Sequence, residues 1–196
     1  MLEPAEPILN VVGERVALGP LRRELVPLYA RWANDFEVMH QVGSIARPLT
    51  LDDEQAWYER IVGNEHLARF TVYVRDGLRP IGVTSLYAIQ PAQRTATFGI
   101  MIGERACWGH GYGTEATRLV LDYGFNVIGL HNIMLGVRSW NERGIRAYLR
   151  AGFKEIGRRR EAIRVGERVY DEVLMDCLAT EFASPVFGRQ LAAEAR

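Results

Sequence analysis

Nine residues, Trp108-Gly109-His110-Gly111-Tyr112-Gly113-Thr114-Glu115-Ala116, have the types and spacing to do chemistry. Glycines at alternate positions let a backbone pass close to a ligand and adopt angles that a Cβ obstructs. The stretch follows a β-like run at 96–102 and opens a long amphipathic helix. First-turn N–H groups of a helix have no intrahelical partner, and the helix dipole adds partial positive charge there. A phosphate or pyrophosphate fits such a point. Taken alone, the same pattern also serves tight strand-to-helix packing. His110 sits inside the loop, either against a phosphate or as an incidental exposed side chain.

The elements that must position this loop follow from periodicity. Residues 15–21 alternate as a first strand, and Leu25, Leu28, Tyr29 and Trp32 recur at helical spacing up to Asn34-Asp35. After a loop at 43–48, Thr50 caps a helix with Asp52, Asp53 and Glu54 at its positive end and Ala56, Trp57, Ile61 and Val62 on its apolar face. Residues 70–74 and 80–87, around a turn at 75–77, read as an antiparallel hairpin, and 95–102 supplies the next strand. The helix that opens at Gly113 runs to Gly129, and 132–137 is a short buried strand. Asn141 caps the following helix, Tyr148 lies seven residues on and therefore on about the same side, and Gly152 ends it before Phe153. Residues 156–165 and 168–178 close the chain as a strand pair around Gly166. Hairpins first and a βαβα stretch later predict an α+β class, neither a barrel nor a doubly wound sheet.

Composition excludes several functions. The chain has 196 residues, 48% of them hydrophobic, enough for one domain with a substantial core. Lys+Arg and Asp+Glu both total 24, so no global field draws a polyanion, and nucleic acid is not expected as a partner. No apolar run reaches bilayer-spanning length, so no membrane partner is expected. Cys107 and Cys177 stand far apart without a His/Cys cluster, which argues against a metal site and points to a reducing cytoplasm.

The Gly-rich helix start, the strand after it and the Asn141 helix together resemble the GNAT acyltransferase superfamily. That family carries a loop of the form Gln/Arg-x-x-Gly-x-Gly/Ala, matched by residues 108–113 with Trp108 in place of Gln/Arg. A second signature, Asn followed by a helical Tyr and then Gly-Phe, is matched by Asn141, Tyr148 and Gly152-Phe153. The stretch 121–125 and the closing hairpin resemble the branch that acetylates polyamines and ribosomal-protein alanine termini. The resemblance implies a mostly antiparallel twisted sheet flanked by helices and splayed at the cofactor site. It implies acetyl-CoA as cosubstrate, with its pyrophosphate over Gly109, His110, Gly111, Gly113 and Thr114. It also implies pantetheine contacts at the backbone of Ile100 and Ile102, further contacts from Asn141 and from Arg143 or Arg146, and Tyr148 as proton donor to the leaving thiolate. The acceptor implied is a small-molecule amine or a peptide N-terminus, and a homodimer is compatible with such a chain. The expected layout is a flexible segment at 1–13, one acyltransferase domain at 14–178 and a tail at 179–196.

Two departures from the pattern stand out. Thr97 occupies the strand position where many relatives carry a Glu that orders a water as base, so the base stays open among Asp35, Glu37, His40, Glu104 and solvent. Gly144 replaces a Ser common after the Asn, which predicts a looser helix start. The missing Glu keeps a second reading alive, a non-catalytic acyl-CoA-binding module of the same fold.

Overall fold

A computed structural model describes residues 6–43 and 47–188; the expectations for 1–5, 44–46 and 189–196 lie outside the described residues. The strands are β1 (Val11–Val12), β2 (Val16–Pro20), β3 (Ala68–Val74), β4 (Arg79–Gln90), β5 (Thr95–Ile102), β6 (Asn132–Arg138), β7 (Lys154–Val165) and β8 (Arg168–Leu178). The helices are α1 (Val26–Ala33), α2 (Phe36–Val42), α3 (Leu51–Ile61), α4 (Tyr112–Asn126) and α5 (Glu142–Ala151). One eight-stranded sheet has the order β1-β2-β3-β4-β5-β6-β8-β7, as expected for an α+β chain. Every pairing is antiparallel except β5 with β6, where a crossover through α4 makes the strands parallel.

Side chains alternate across the sheet and build two cores. Leu86, Phe98 and Ile133 join Leu119, Val120 and Phe125 of α4 in the larger one. On the other face Tyr29 and Trp32 of α1 meet Tyr58 of α3, with Val83 and Met101 packed against them. The phenol of Tyr29 shares a 2.6 Å hydrogen bond with Thr71 of β3, so α1 is fixed to the sheet by a buried polar contact as well as by area.

Helix α3 begins as the sequence suggests. Thr50 accepts from the N–H of Asp53 at 3.1 Å while Asp53 accepts from the N–H of Thr50 at 2.9 Å, a reciprocal cap. Helix α2 was not anticipated. Its start signal, Asp35 accepting from the N–H groups of Glu37 and Val38, reads in sequence as the end of α1. Two other segments carry more structure than their sequence suggests. Residues 11–12, in the stretch expected to be flexible, pair with β2, and Asp122 of α4 accepts hydrogen bonds from Ser184, Val186 and Phe187 beyond β8.

Candidate active site

The loop before α4 bends through Gly109 (φ 79°) and Gly111 (φ 84°), both left-handed conformations that a side chain resists. The third glycine differs from the expectation: Gly113 is helical, and a Cβ there would make only ordinary contact, 3.6 Å from Ile102. Its value is the open space above the helix start rather than a backbone angle. Gly111 provides no side-chain cap, and the N–H groups of Tyr112, Gly113 and Thr114 have no partner among the described residues. Three donors and the positive end of a 15-residue helix therefore face the loop.

Trp108, which departs from the family pattern, ties this loop to the sheet. Its indole N–H donates to the carbonyl of Ile102 at 2.7 Å, and the Arg143 guanidinium stacks 3.9 Å from its ring. Desolvation there pulls the Arg143 pKa down. The Ile102 carbonyl, one of the groups expected to meet pantetheine, is thus engaged within the protein. His110 turns back on its own loop, its Nδ1 2.9 Å from the Trp108 carbonyl and its ring stacked on Tyr112, and it does not line the cavity.

That cavity, of about 840 Å³, opens because β5 and β6 separate. They pair only at Thr95–Asn132, Ala96–Ile133 and Thr97–Met134. Beyond Thr97 each arm stays held by its outer neighbour, β5 by β4 as far as Ile102–Gly82 and β6 by β8 as far as Arg138–Glu172. Backbone groups on the inner edges of the arms are left facing the gap, Ile100 on one side and Gly136 and Val137 on the other. The loop glycines Gly109, Gly111 and Gly113, with Thr114, lie at one end of the same cavity.

Tyr148 reaches the gap from α5. Its ring stands edge-on to Phe98 and Phe153, with centroids 6.1 and 6.0 Å away, and its hydroxyl bonds to no described residue. Burial, helped by the nearby Tyr87 phenol, pushes its pKa up to about 12, so it is protonated through the neutral range. Asn141 caps α5 by accepting from the N–H of Gly144 at 2.8 Å and donates to the Gln41 carbonyl at 3.1 Å, which joins α5 to α2. This explains Gly144: a Cβ there would meet the Asn141 amide at 2.7 Å. Arg146 pairs with Glu142 at 3.1 Å on the exposed side of α5 and lies, with Arg143 and Arg150, along the cavity wall.

None of the base candidates lines this cavity. Asp35 caps α2, Glu37 pairs with Arg105 at 2.6 Å, and Glu104 binds Arg31 and the Trp32 indole. His40 stacks on Trp140 at 4.9 Å. The carboxylate that does line it among the described residues is Glu54, 7% exposed, with Arg69, Trp57 and Tyr87 nearby. In the sequence Glu54 stands with Asp35, Glu37, Asp52 and Asp53 as a carboxylate able to attract a polycation, or as ordinary first-turn charge on α3. Its apolar neighbour Trp57, three residues on, was the available sign that this face turns inward.

Residues 15–154 match the family model for an acetyltransferase (GNAT) domain. The chain is 34% identical over 110 residues to the probable N-acetyltransferase YjcK of Bacillus subtilis, covering 56% of this chain and 60% of that one. It is 30% identical over 151 residues to spermidine N(1)-acetyltransferase of Escherichia coli K12, covering 72% and 74% of the two chains. It is 28% identical over 160 residues to human alpha/beta-tubulin-N-acetyltransferase 9, covering 74% and 75%. In fold it is similar to spermidine N-acetyltransferase from Vibrio cholerae, solved with CoA and spermine. There the TM-score is 0.79 at 24% identity, over 85% of this chain and 97% of that one.

Proposed function

The chain belongs to the GNAT acetyltransferase family, and from that premise we propose that it moves the acetyl group of acetyl-CoA onto a primary amine by direct attack. The observation that carries this reading is one continuous cavity. It runs from the unpaired N–H groups at the start of α4, through the gap between β5 and β6, to the free hydroxyl of Tyr148.

The thioester supplies an activated acetyl carbon: the amine nitrogen forms the N–C bond and the C–S bond breaks. The chain's own groups bind, orient and protonate. The N–H groups of Tyr112, Gly113 and Thr114 hold the pyrophosphate, and Arg143, Arg146 and Arg150 line the wall where further phosphate charge would lie. The parted arms take the pantetheine as a missing strand, through the free backbone edge near Ile100. Asn141 acts by capping α5 and so fixing the height of Tyr148. Tyr148 donates to the sulfur as negative charge builds there and recovers its proton from solvent. With its pKa near 12, well above that of an ordinary thiol at about 8.5, the hydrogen bond to sulfur does most of the stabilising and full proton transfer lags behind it. The ammonium proton leaves to solvent, since β5 presents Thr97 where a base would stand.

A non-catalytic acyl-CoA-binding module would have no use for a phenol held unpartnered at the gap. The proposed acceptor class takes in small amines and peptide N-termini, and the proposed setting is the cytoplasm. An assay of thiol release from acetyl-CoA across a panel of amines tests the reading. Stoichiometric acetylated amine is expected, and tight CoA binding without turnover of any amine would favour the binding module instead.

A further inference from the structure

Past the gap, the cavity ends against β3, β4 and α3, where two opposite charges lie in an arrangement the reaction so far does not use. Glu54 is 7% exposed, and among the described residues it is burial and the charge of Arg69, with no hydrogen bond, that set the state of its carboxyl. The Arg69 Nε is buried without a partner, and its guanidinium rests 5.0 Å above the Trp57 ring. Burial pushes the Glu54 carboxyl up and the Arg69 guanidinium down, and each is partly offset by the other's charge. They do not close into an ion pair. A half-buried charge held short of its counter-charge is costly unless something else completes it.

Position says what that something is. Arg69 pairs in register with Ser85, and Ser85 with Gly99 on the β5 arm of the gap. Two strand spacings, roughly 10 Å, therefore separate the Arg69 backbone from the edge where the thioester would sit. Arg69 lines the cavity on this side, and the Tyr87 ring lies against Gly99, where a Cβ would meet it at 3.4 Å. The charged side chains lining the cavity among the described residues are Arg69, Arg138, Arg143, Arg146, Arg150 and a single carboxylate, Glu54. With Arg143, Arg146 and Arg150 placed toward the phosphates and Arg138 paired with Glu172 at 3.3 Å, the acceptor end is left with one positive and one negative group, Arg69 and Glu54.

Resting on the acetyltransferase reading above, we infer that Glu54 and Arg69 together select an acceptor whose amine lies next to a carboxylate or carbonyl oxygen. Glu54 receives the amine's N–H groups, and the Arg69 guanidinium donates to the oxygen where it borders the cavity. The chemical class is an α-amino acid or an α-amino carbonyl compound, and Arg69 is its specificity-determining residue.

The test uses the full chain with acetyl-CoA and five acceptors: alanine, alanine amide, an alanine tripeptide, butylamine and spermidine. The inference expects kcat/KM for at least one of the three α-amino acceptors to exceed that for butylamine and spermidine by tenfold or more. Preference for alanine identifies a carboxylate as the group Arg69 reads, and preference for the amide or tripeptide a carbonyl. Arg69→Gln should raise KM for the preferred acceptor by about tenfold to a hundredfold, the usual effect of a lost hydrogen bond between charged groups. Butylamine kcat/KM should fall at least fivefold less than that of the preferred acceptor, acetyl-CoA affinity should stay unchanged, and Arg69→Lys should recover part of the loss. Spermidine or butylamine outrunning every α-amino acceptor, or Arg69→Gln slowing all acceptors alike, overturns the inference while leaving the acetyltransferase reading standing. Thiol release with none of the five removes the acetyltransferase reading and this inference with it.

Discussion

A hydroxyl without a partner in a half-apolar setting needs a reason, and for Tyr148 the reason proposed is the leaving sulfur. Tyr148→Phe removes only that oxygen and keeps the ring against Phe98 and Phe153. General acids contribute about 10²- to 10⁴-fold, and a phenol pushed to about 12 belongs near the lower end, so kcat should fall about 10²-fold with acetyl-CoA affinity unchanged. Gly113 allows an equally clean test, because a Cβ there meets nothing closer than 3.6 Å in the protein. Gly113→Ala should raise stability by up to about 1 kcal/mol through helix propensity while weakening acetyl-CoA binding measurably by calorimetry. A variant both more stable and equally tight would move the cofactor away from α4. For the amine's proton, kcat/KM should keep rising with pH toward the acceptor's own pKa. An acceptor-independent inflection abolished by changing His40 or Glu104 would contradict this, since neither lines the cavity.

At the scale of the element, each helix that serves the site is fixed by a polar contact with a measurable consequence. Asn141→Ala removes the cap of α5 and its tie to the Gln41 carbonyl, and should cost about 1–2 kcal/mol in denaturant unfolding. Tyr29→Phe removes the bond from α1 to Thr71 and should cost about 1 kcal/mol near neutral pH. Its pH signature is more specific. Burial raises the Tyr29 pKa from 10.0 to about 12, so its contribution is complete below pH 10 and is lost as pH rises toward 12, while the unfolded chain ionises first. Melting temperature should therefore drop more steeply between pH 10 and 12 in the wild type than in Tyr29→Phe. The α3 and α5 starts were legible because Thr50 and Asn141 precede clear helical periodicity, and the α4 start because of its closely spaced glycines. Helix α2 was not, because seven residues beginning immediately after the end of α1 leave no room for a separate period to declare itself.

At the scale of the molecule, the succession of strands along the chain and the Gly-rich start of α4 were readable, since both rest on local patterns: alternation, turn residues and glycine spacing. The proposed acceptor end was not, because nothing local singles Glu54 out from its neighbouring carboxylates, and Glu54 of α3 and Arg69 of β3 come together at the cavity only through the tertiary fold. The same holds for the base candidates Asp35, Glu37 and Glu104, whose ion pairs with Arg105 and Arg31 are long-range facts. Gly144 likewise reads as a weak helix start until the Asn141 amide is seen filling the space beside it. One measurement tests the central claim most directly: mass-spectrometric detection of acetylated amine alongside free CoA, from purified protein and acetyl-CoA, for wild type and Tyr148→Phe. The account predicts equimolar products, formed about 10²-fold more slowly by the variant at equal acetyl-CoA occupancy. Acetyl-CoA bound at the α4 loop with no acetylated amine from any acceptor, or product formed equally fast without the Tyr148 hydroxyl, would contradict it.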